Sequence, residues 1–172
     1  MEWVKRMHTT VWLTACGALF LLTVIELVKP HAFFWYDNFT YFLPWYEFNY
    51  NAWRHGEIPQ INFYSYMGHP CLTAGQSGVF YPPTFLSVAL AHLFHQPGLG
   101  MKWLAWIHLA AAALVVERLA RLLGSNASQS MVLGWLYLSL PFNIGAAQLW
   151  VVVAYTILYV PWIFLCLELL LR

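Results

Sequence analysis

The longest uncharged interval constrains the fold of this chain more than any other feature. Between Arg121 and Glu168 lie 46 residues without a charged side chain, and another 19 lie between Arg6 and Glu26. A bilayer core needs about 20 mostly apolar residues per helix and excludes unpaired charge, so such intervals are typical of membrane-spanning helices. Only 9% of the chain is charged, whereas soluble domains carry about 25%. The sequence therefore predicts an all-α integral membrane protein.

The uncharged intervals predict about four transmembrane helices within a single membrane domain. Pro141 marks a weak point in the longest interval, which is long enough for two helices. The region after Arg6 lacks a small-residue cleavage site, so we interpret it as a retained span rather than a signal peptide. The predicted spans are, in order, about 9–28, 101–123, 130–148 and 151–171.

One further apolar segment, Pro82–His95, is short enough to be either a span or a helix on the membrane surface. If it lies on the surface, five Lys and Arg residues share the side of the N-terminus and three lie opposite; if it spans, the counts reverse. The positive-inside rule favours the first arrangement. It predicts a cytoplasmic N-terminus and a long outer segment at 29–100.

The outer segment is predicted to be an ordered cap rather than a linker. It is dense in Phe, Tyr and Trp, which are enriched at membrane interfaces. Asn38–Arg54 is expected to form an interfacial helix, Gly56–Pro83 a loop, and Thr84–Phe94 a second short helix. The spacing i, i+3, i+4, i+7 predicts that one side of this second helix carries Phe85, Val88, Ala89 and His92.

Charge and cysteine content exclude several functions. The formal net charge is +1, so no basic surface is present to attract nucleic acid. The three cysteines, Cys16, Cys71 and Cys166, are too dispersed for a disulfide framework or a C-x-x-C metal site.

Asp37 is the first candidate for chemistry, because it follows the first predicted span within an aromatic run. A carboxylate shielded by aromatic rings can act as a general base, as a metal ligand or as the partner of a cation. The alternative is that Asp37 is the N-cap of the helix Asn38–Arg54, a position that Asp favours. The two roles are compatible.

Polar residues elsewhere have a structural alternative as well. Arg54 and His55, just before Gly56, can hold a phosphate or a lipid headgroup, or can simply cap the helix C-terminus and anchor it at the interface. His92 and His95 are spaced i, i+3 and are weak candidates for metal binding. Asn143 and Gln148 are expected to join helices by hydrogen bonds or to line a cavity, with helix packing the preferred interpretation.

Several loop motifs together resemble a known family. They are Asp37-Asn-Phe-Thr-Tyr-Phe-Leu-Pro44-Trp, Trp53-Arg-His-Gly56-Glu-Ile-Pro59, Gly68-His-Pro70 and Gln76-Ser-Gly-Val-Phe-Tyr81-Pro82. In order and spacing they resemble the first outer loop of bacterial YfhO-type multi-pass proteins of the GT-C glycosyltransferase superfamily. Those proteins are usually several hundred residues long, so the chain looks like the N-terminal part of the fold.

The resemblance implies an enzyme that moves a sugar from a polyprenyl-phosphate donor to an acceptor on the outer face of the membrane. In that family the first-loop acid is catalytic, and Asp37 occupies its place. A divalent cation such as Mg²⁺ or Mn²⁺, with Asp37 as a possible ligand, or a cation such as Arg54 would stabilise the departing phosphate. The substrate-binding residues expected beside Asp37 are Tyr36, Trp45, Arg54, His55 and Gln76.

A non-catalytic multi-pass protein is the alternative, either a transporter or an assembly subunit whose outer loop is structural. In either case the bilayer is a partner, and further helices from a longer chain or a partner subunit can complete the fold.

Overall fold

The computed structural model describes residues 37–172 except Tyr66, and within residues 1–36 only Val24, Val28 and Lys29. The first predicted span, 9–28, therefore lies almost entirely outside the described residues. The described chain is mainly helical and divides into two compact units. Glu26–Leu104 belongs to the first, here called the cap unit, and Ala105–Arg172 belongs to the second, here called the helical unit.

The cap unit contains two short helices and a small hairpin. A π-helical turn at Asn38–Phe42 leads directly into α1, Leu43–Arg54. Strands β1, Ile61–Asn62, and β2, His69–Pro70, pair in antiparallel fashion. Helix α2 follows at Pro82–Phe94.

Side chains of α1 fix the long loop that follows the hairpin. Asn49 Nδ2 donates to the carbonyl of Ser77 at 2.7 Å, and Trp53 Nε1 donates to the carbonyl of Val79 at 3.1 Å. Ser77 Oγ donates in turn to the carbonyl of Cys71 at 2.5 Å, and Cys71 is fully buried. Backbone groups of the loop are therefore satisfied by helix side chains, which explains how a segment with so little regular structure stays ordered.

The face of α2 that is buried in the protein consists of Thr84, Ser87, Val88 and Ala91. It is one residue out of register with the side that carries Phe85, Val88, Ala89 and His92. The physical reason is a close helix approach: a Cβ at Gly100 would overlap the carbonyl oxygen of Ser87, with the carbonyl carbon at 2.5 Å. Only small side chains allow two backbones to come this near, so the small residues, rather than Phe85, face inward.

Helix α3, Pro97–Leu122, begins in the cap unit and continues into the helical unit. There it is followed by α4, Ala127–Ser139, α5, Pro141–Leu149, and α6, Val151–Leu171. Two described helices are long and apolar enough to cross a membrane by length and composition, namely Gly98–Leu122 and Val151–Leu171. The last helix leaves Trp162, Phe164 and many other large apolar side chains exposed, which is typical of a surface that contacts lipid.

The third predicted span is divided in two. Leu140, with φ −56° and ψ 126°, separates α4 from α5, because the ring of Pro141 disfavours helical backbone in the residue before it. Pro141 also lacks the N–H that would bond to the carbonyl of Tyr137, and Asn143 Nδ2 donates to that carbonyl at 2.6 Å. The predicted role of Asn143 in hydrogen bonding is thus observed, although the bond closes a helix break and does not join two long spans.

The backbone carbonyl that a second proline leaves without a donor also receives a hydrogen bond, in this case from Tyr137 of α4. Pro161 lies inside α6 and leaves the carbonyl of Ile157 without its helical donor. The hydroxyl of Tyr137 donates to this carbonyl at 2.8 Å. Backbone groups freed by proline in a lipid environment need such partners, since water is not available to them.

Charged side chains of the helical unit gather at one end of its helices. Glu117 is buried and forms an ion pair with Arg121 one turn later on α3. Arg172 pairs with Glu168 at 2.8 Å and also donates to the carbonyl of Leu122. The end of α6 is therefore joined to the end of α3.

Candidate functional site in the cap unit

Asp37 lies at the entrance to the helical segment of the cap unit. Its backbone is in the right-handed helical region, with φ −61° and ψ −26°, and its side chain makes no capping hydrogen bond. An N-cap residue normally has extended backbone and an oxygen bonded to the first turn. Asp37 therefore does not cap the helix through its side chain.

Trp45 is a packing residue in this structure. It is buried, and its ring stacks on the imidazole of His69 with centroids 4.2 Å apart and planes 13° apart. Phe42 meets the same indole edge-on at 5.8 Å. These contacts hold the hairpin against α1, and one aromatic face that was predicted to bind substrate is covered by His69.

Arg54 and His55 end α1 as the sequence suggested, and both are exposed. The backbone N–H of His55 donates to the carbonyl of Ala52, and its Nδ1 lies 2.8 Å from the carbonyl oxygen of Asn51. Gly56 follows with φ +75°, the left-handed conformation that commonly terminates helices. His55 therefore caps the helix, whereas the Arg54 guanidinium lies 5.7 Å from the centre of the Tyr50 ring.

The remaining predicted site residues are Gln76 and Tyr36. Gln76 is exposed in the loop after the hairpin, and Tyr36 lies outside the described residues. Their predicted roles in substrate binding stay predictions.

Glu47 is a site residue that sequence reasoning missed. Its Oε1 lies 2.6 Å from Nε2 of His92, so α1 and α2 are joined by a contact between residues 45 positions apart. The Tyr50 ring stacks on the same imidazole, with centroids 5.5 Å apart. No local sequence pattern reveals a partner on another helix, so this contact of Glu47 could not be inferred from the sequence.

His92 thus has Glu47 as its partner, whereas His95 is the C-cap of α2. His95 ends α2 in the left-handed conformation, with φ 51°. Within the part of the chain that the structure describes, no three His, Cys, Asp or Glu side chains gather as a metal site would require. The pair His92 and His95 accordingly has no third ligand among these residues.

Two cavities open on either side of Glu47. A cleft of about 810 Å³ lies between α1 and the segment 57–65, and a smaller cavity of about 390 Å³ lies between α1 and the end of α2. Glu47 and Pro44 line both of them. The larger volume is within the range of small-molecule sites, roughly 300–1,000 Å³.

Comparison of the chain with protein-family models, curated proteins and solved structures finds no match. The resemblance to YfhO-type proteins therefore rests on the loop motifs alone.

Proposed function

We propose that the chain belongs to a GT-C type membrane glycosyltransferase, in which Asp37 is the catalytic base. The observation that carries the proposal is the placement of Asp37. It is the only aspartate of the chain, it is half-buried, and it precedes the π-turn that leads into the helix lining the large cleft. Turns of π-helix are rare and occur frequently at functional sites.

The chemistry assigned to Asp37 is a single inverting displacement. Its carboxylate accepts the proton of an acceptor hydroxyl while that oxygen forms a bond to C1 of the sugar. The bond between C1 and the phosphate oxygen breaks, and polyprenyl phosphate leaves with the bonding electrons. One base is sufficient for such a step, and a lost general base typically costs 10²–10⁴-fold in rate.

The described residues do not fit a divalent metal at the departing phosphate. Asp37 is not accompanied by two further acidic, His or Cys ligands among them. Arg54, the other candidate, lies at the opposite end of the helical segment 38–54, about 25 Å along its axis from Asp37. It therefore cannot contact the phosphate of a sugar donor held at Asp37.

The proposed enzyme lies in a bacterial inner membrane with its N-terminus in the cytoplasm and the cap unit outside. Two observations support this orientation. The two long apolar helices suit a membrane, and the charged end of the helical unit contains Arg118, Arg121 and Arg172. Arginine concentrates on the cytoplasmic side.

Asp37→Asn tests the proposal. The exchange removes the base and keeps the size of the side chain, and the helical backbone at this position gives no reason for a large loss of stability. We expect sugar transfer from a polyprenyl-phosphate donor to fall by roughly 10²-fold or more, with an unchanged melting temperature. The measurement uses the full-length protein in nanodiscs and a radiolabelled donor.

Asp37→Glu is the matched control, because it keeps a carboxylate at the same position. It should retain clearly more transfer than Asp37→Asn. Transfer at the parent rate by the asparagine variant would contradict the proposal. The second candidate, a purely structural cap, would then be favoured, and the stacking of Trp45 on His69 is the observation that supports it.

A further inference from the structure

The large cleft of the cap unit has two chemically different walls. Its first wall is one face of α1, where Glu47, Asn51 and His55 recur at every fourth residue. Its second wall is the segment 57–65, which adds carboxylate, amide and aromatic side chains. Polar groups that converge on a cleft of about 810 Å³ are the usual mark of a ligand site.

The charges of the cleft argue against an anionic ligand. Among the residues that the structure describes, its lining includes two carboxylates, Glu47 and Glu57, and neither Lys nor Arg. The Nδ1 atom of His55 lies 2.8 Å from the carbonyl oxygen of Asn51, so this nitrogen is turned to the helix backbone. A phosphate or a carboxylate would therefore enter without a cation to receive it.

The aromatic residues of the second wall are strongly exposed. Phe63 is 73% exposed and Tyr64 is 94% exposed, although both line the cleft. The hairpin fixes the backbone beside them: the Tyr64 N–H donates to Asn62 Oδ1 at 3.0 Å, and Asn62 pairs with His69 across the strands. Aromatic rings presented to solvent are typical binding surfaces, because they offer a large apolar area with few rotatable bonds.

We propose that this cleft binds a neutral sugar, namely the carbohydrate of the glycosyl acceptor. A pyranose has hydroxyl groups around its edge and an apolar C–H face. The amides and carboxylates of the cleft can bond to the hydroxyls, and Phe63 or Tyr64 can cover the C–H face. The assignment of the sugar to the acceptor rests on the proposed function, whereas binding of the sugar does not.

An amine is the closest competing ligand, since carboxylates and aromatic rings also attract cations. Glu47, however, already has a partner, because its Oε1 lies 2.6 Å from His92 Nε2. A cationic ligand would therefore depend mainly on Glu57, the other carboxylate of the cleft. A neutral ligand therefore suits the lining better than a cationic one.

Saturation-transfer NMR on the full chain in nanodiscs tests the proposal. The probes are neutral hexoses, N-acetylhexosamines, hexosamines and uronic acids, each titrated singly. We expect saturable binding of at least one neutral sugar, and binding weakened about 10-fold or more by Phe63→Ala. Phe80→Ala is the matched control, because Phe80 is 71% exposed and does not line the cleft. This variant should bind as the parent does.

The remaining outcomes each overturn the proposal. The first is that no neutral sugar binds saturably, and the second is that uronic acids bind more tightly than neutral sugars. The third is that Phe63→Ala and Phe80→Ala weaken sugar binding equally. The fourth is that hexosamines bind more tightly than neutral sugars and that Glu57→Gln abolishes this difference. A melting curve for each variant confirms that it is folded. Asp37→Asn should bind the sugar as the parent does. Saturable sugar binding together with parent-rate transfer by Asp37→Asn would refute the proposed function alone.

Discussion

The hydroxyl of Tyr137 gives the sharpest prediction, because it donates to a carbonyl that proline has freed. Tyr137→Phe keeps the ring and removes the donor, so the carbonyl of Ile157 loses its partner at 2.8 Å. An unsatisfied polar group away from water costs about 1–3 kcal/mol. Hydrogen bonds between membrane helices average nearer 0.6 kcal/mol, because alternative partners are found. We expect a loss of about 1–2 kcal/mol in the free energy of unfolding.

A second substitution isolates the cause. Pro161→Ala restores an N–H at position 161, which can bond to the carbonyl of Ile157 as in any α-helix. In this background Tyr137→Phe should cost only a few tenths of a kcal/mol, roughly the error of additivity between independent sites. The coupling energy of the cycle should therefore be about 1 kcal/mol or more.

Thermal unfolding of the four proteins in the same detergent measures the cycle. For a chain of about 150–250 residues, 1 kcal/mol corresponds to roughly 2–4 °C. Tyr137→Phe should thus lower Tm by about 2–8 °C when Pro161 is present and by about 1 °C when it is replaced. An equal fall in both backgrounds would show that the hydroxyl stabilises the protein by another contact, and the proline argument would be refuted.

Two more predictions concern packing and topology. Gly100→Ala should destabilise the cap unit by about 1–3 kcal/mol, because the added methyl group overlaps the backbone of Ser87. Gly145→Ala, where no described atom lies within 4 Å of the added methyl group, should stabilise its helix by about 0.5–1 kcal/mol. Equal shifts of Tm for the two variants would contradict this prediction. In a cysteine-free background, a cysteine introduced at Gly75 should react with an impermeant maleimide added outside intact cells. A cysteine introduced at Ser128 should react only after the cells are permeabilised. Labelling of Ser128→Cys in intact cells would show that the start of α4 lies outside, opposite to the prediction.

The parts of the fold that local chemistry determines could be predicted from the sequence. The predicted spans at 101–123 and 151–171 correspond to Pro97–Leu122 and Val151–Leu171. The helix predicted over Asn38–Arg54 is present, as a π-turn and α1, and it ends before Gly56 as expected. Uncharged intervals, prolines and glycines act within a few residues, so their effects can be inferred without a three-dimensional structure.

The candidate site depends on contacts that local patterns do not contain. Glu47 meets His92, Asn49 meets the carbonyl of Ser77, and the cleft forms where a helix faces a loop. Each contact joins residues far apart in the sequence, and its existence depends on how closely the elements approach. The same cause determines which side of α2 is buried in the protein, because the close approach of Gly100 to Ser87 admits only small side chains.

The number of residues in the π-turn after Asp37, more than their identity, determines the position of Asp37 around the helix axis. The N–H of Leu43 bonds to the carbonyl of Asn38, five residues back, so the turn holds one residue more than a regular α-turn. Each residue of an α-helix corresponds to about 100° of rotation. Deletion of any one residue from Asn38–Phe42 would convert the turn into regular α-helix and rotate Asp37 by about 100° around the axis of α1. A substitution within the turn would leave this angle unchanged. The extra residue of the π-turn therefore sets the position of Asp37 around the helix.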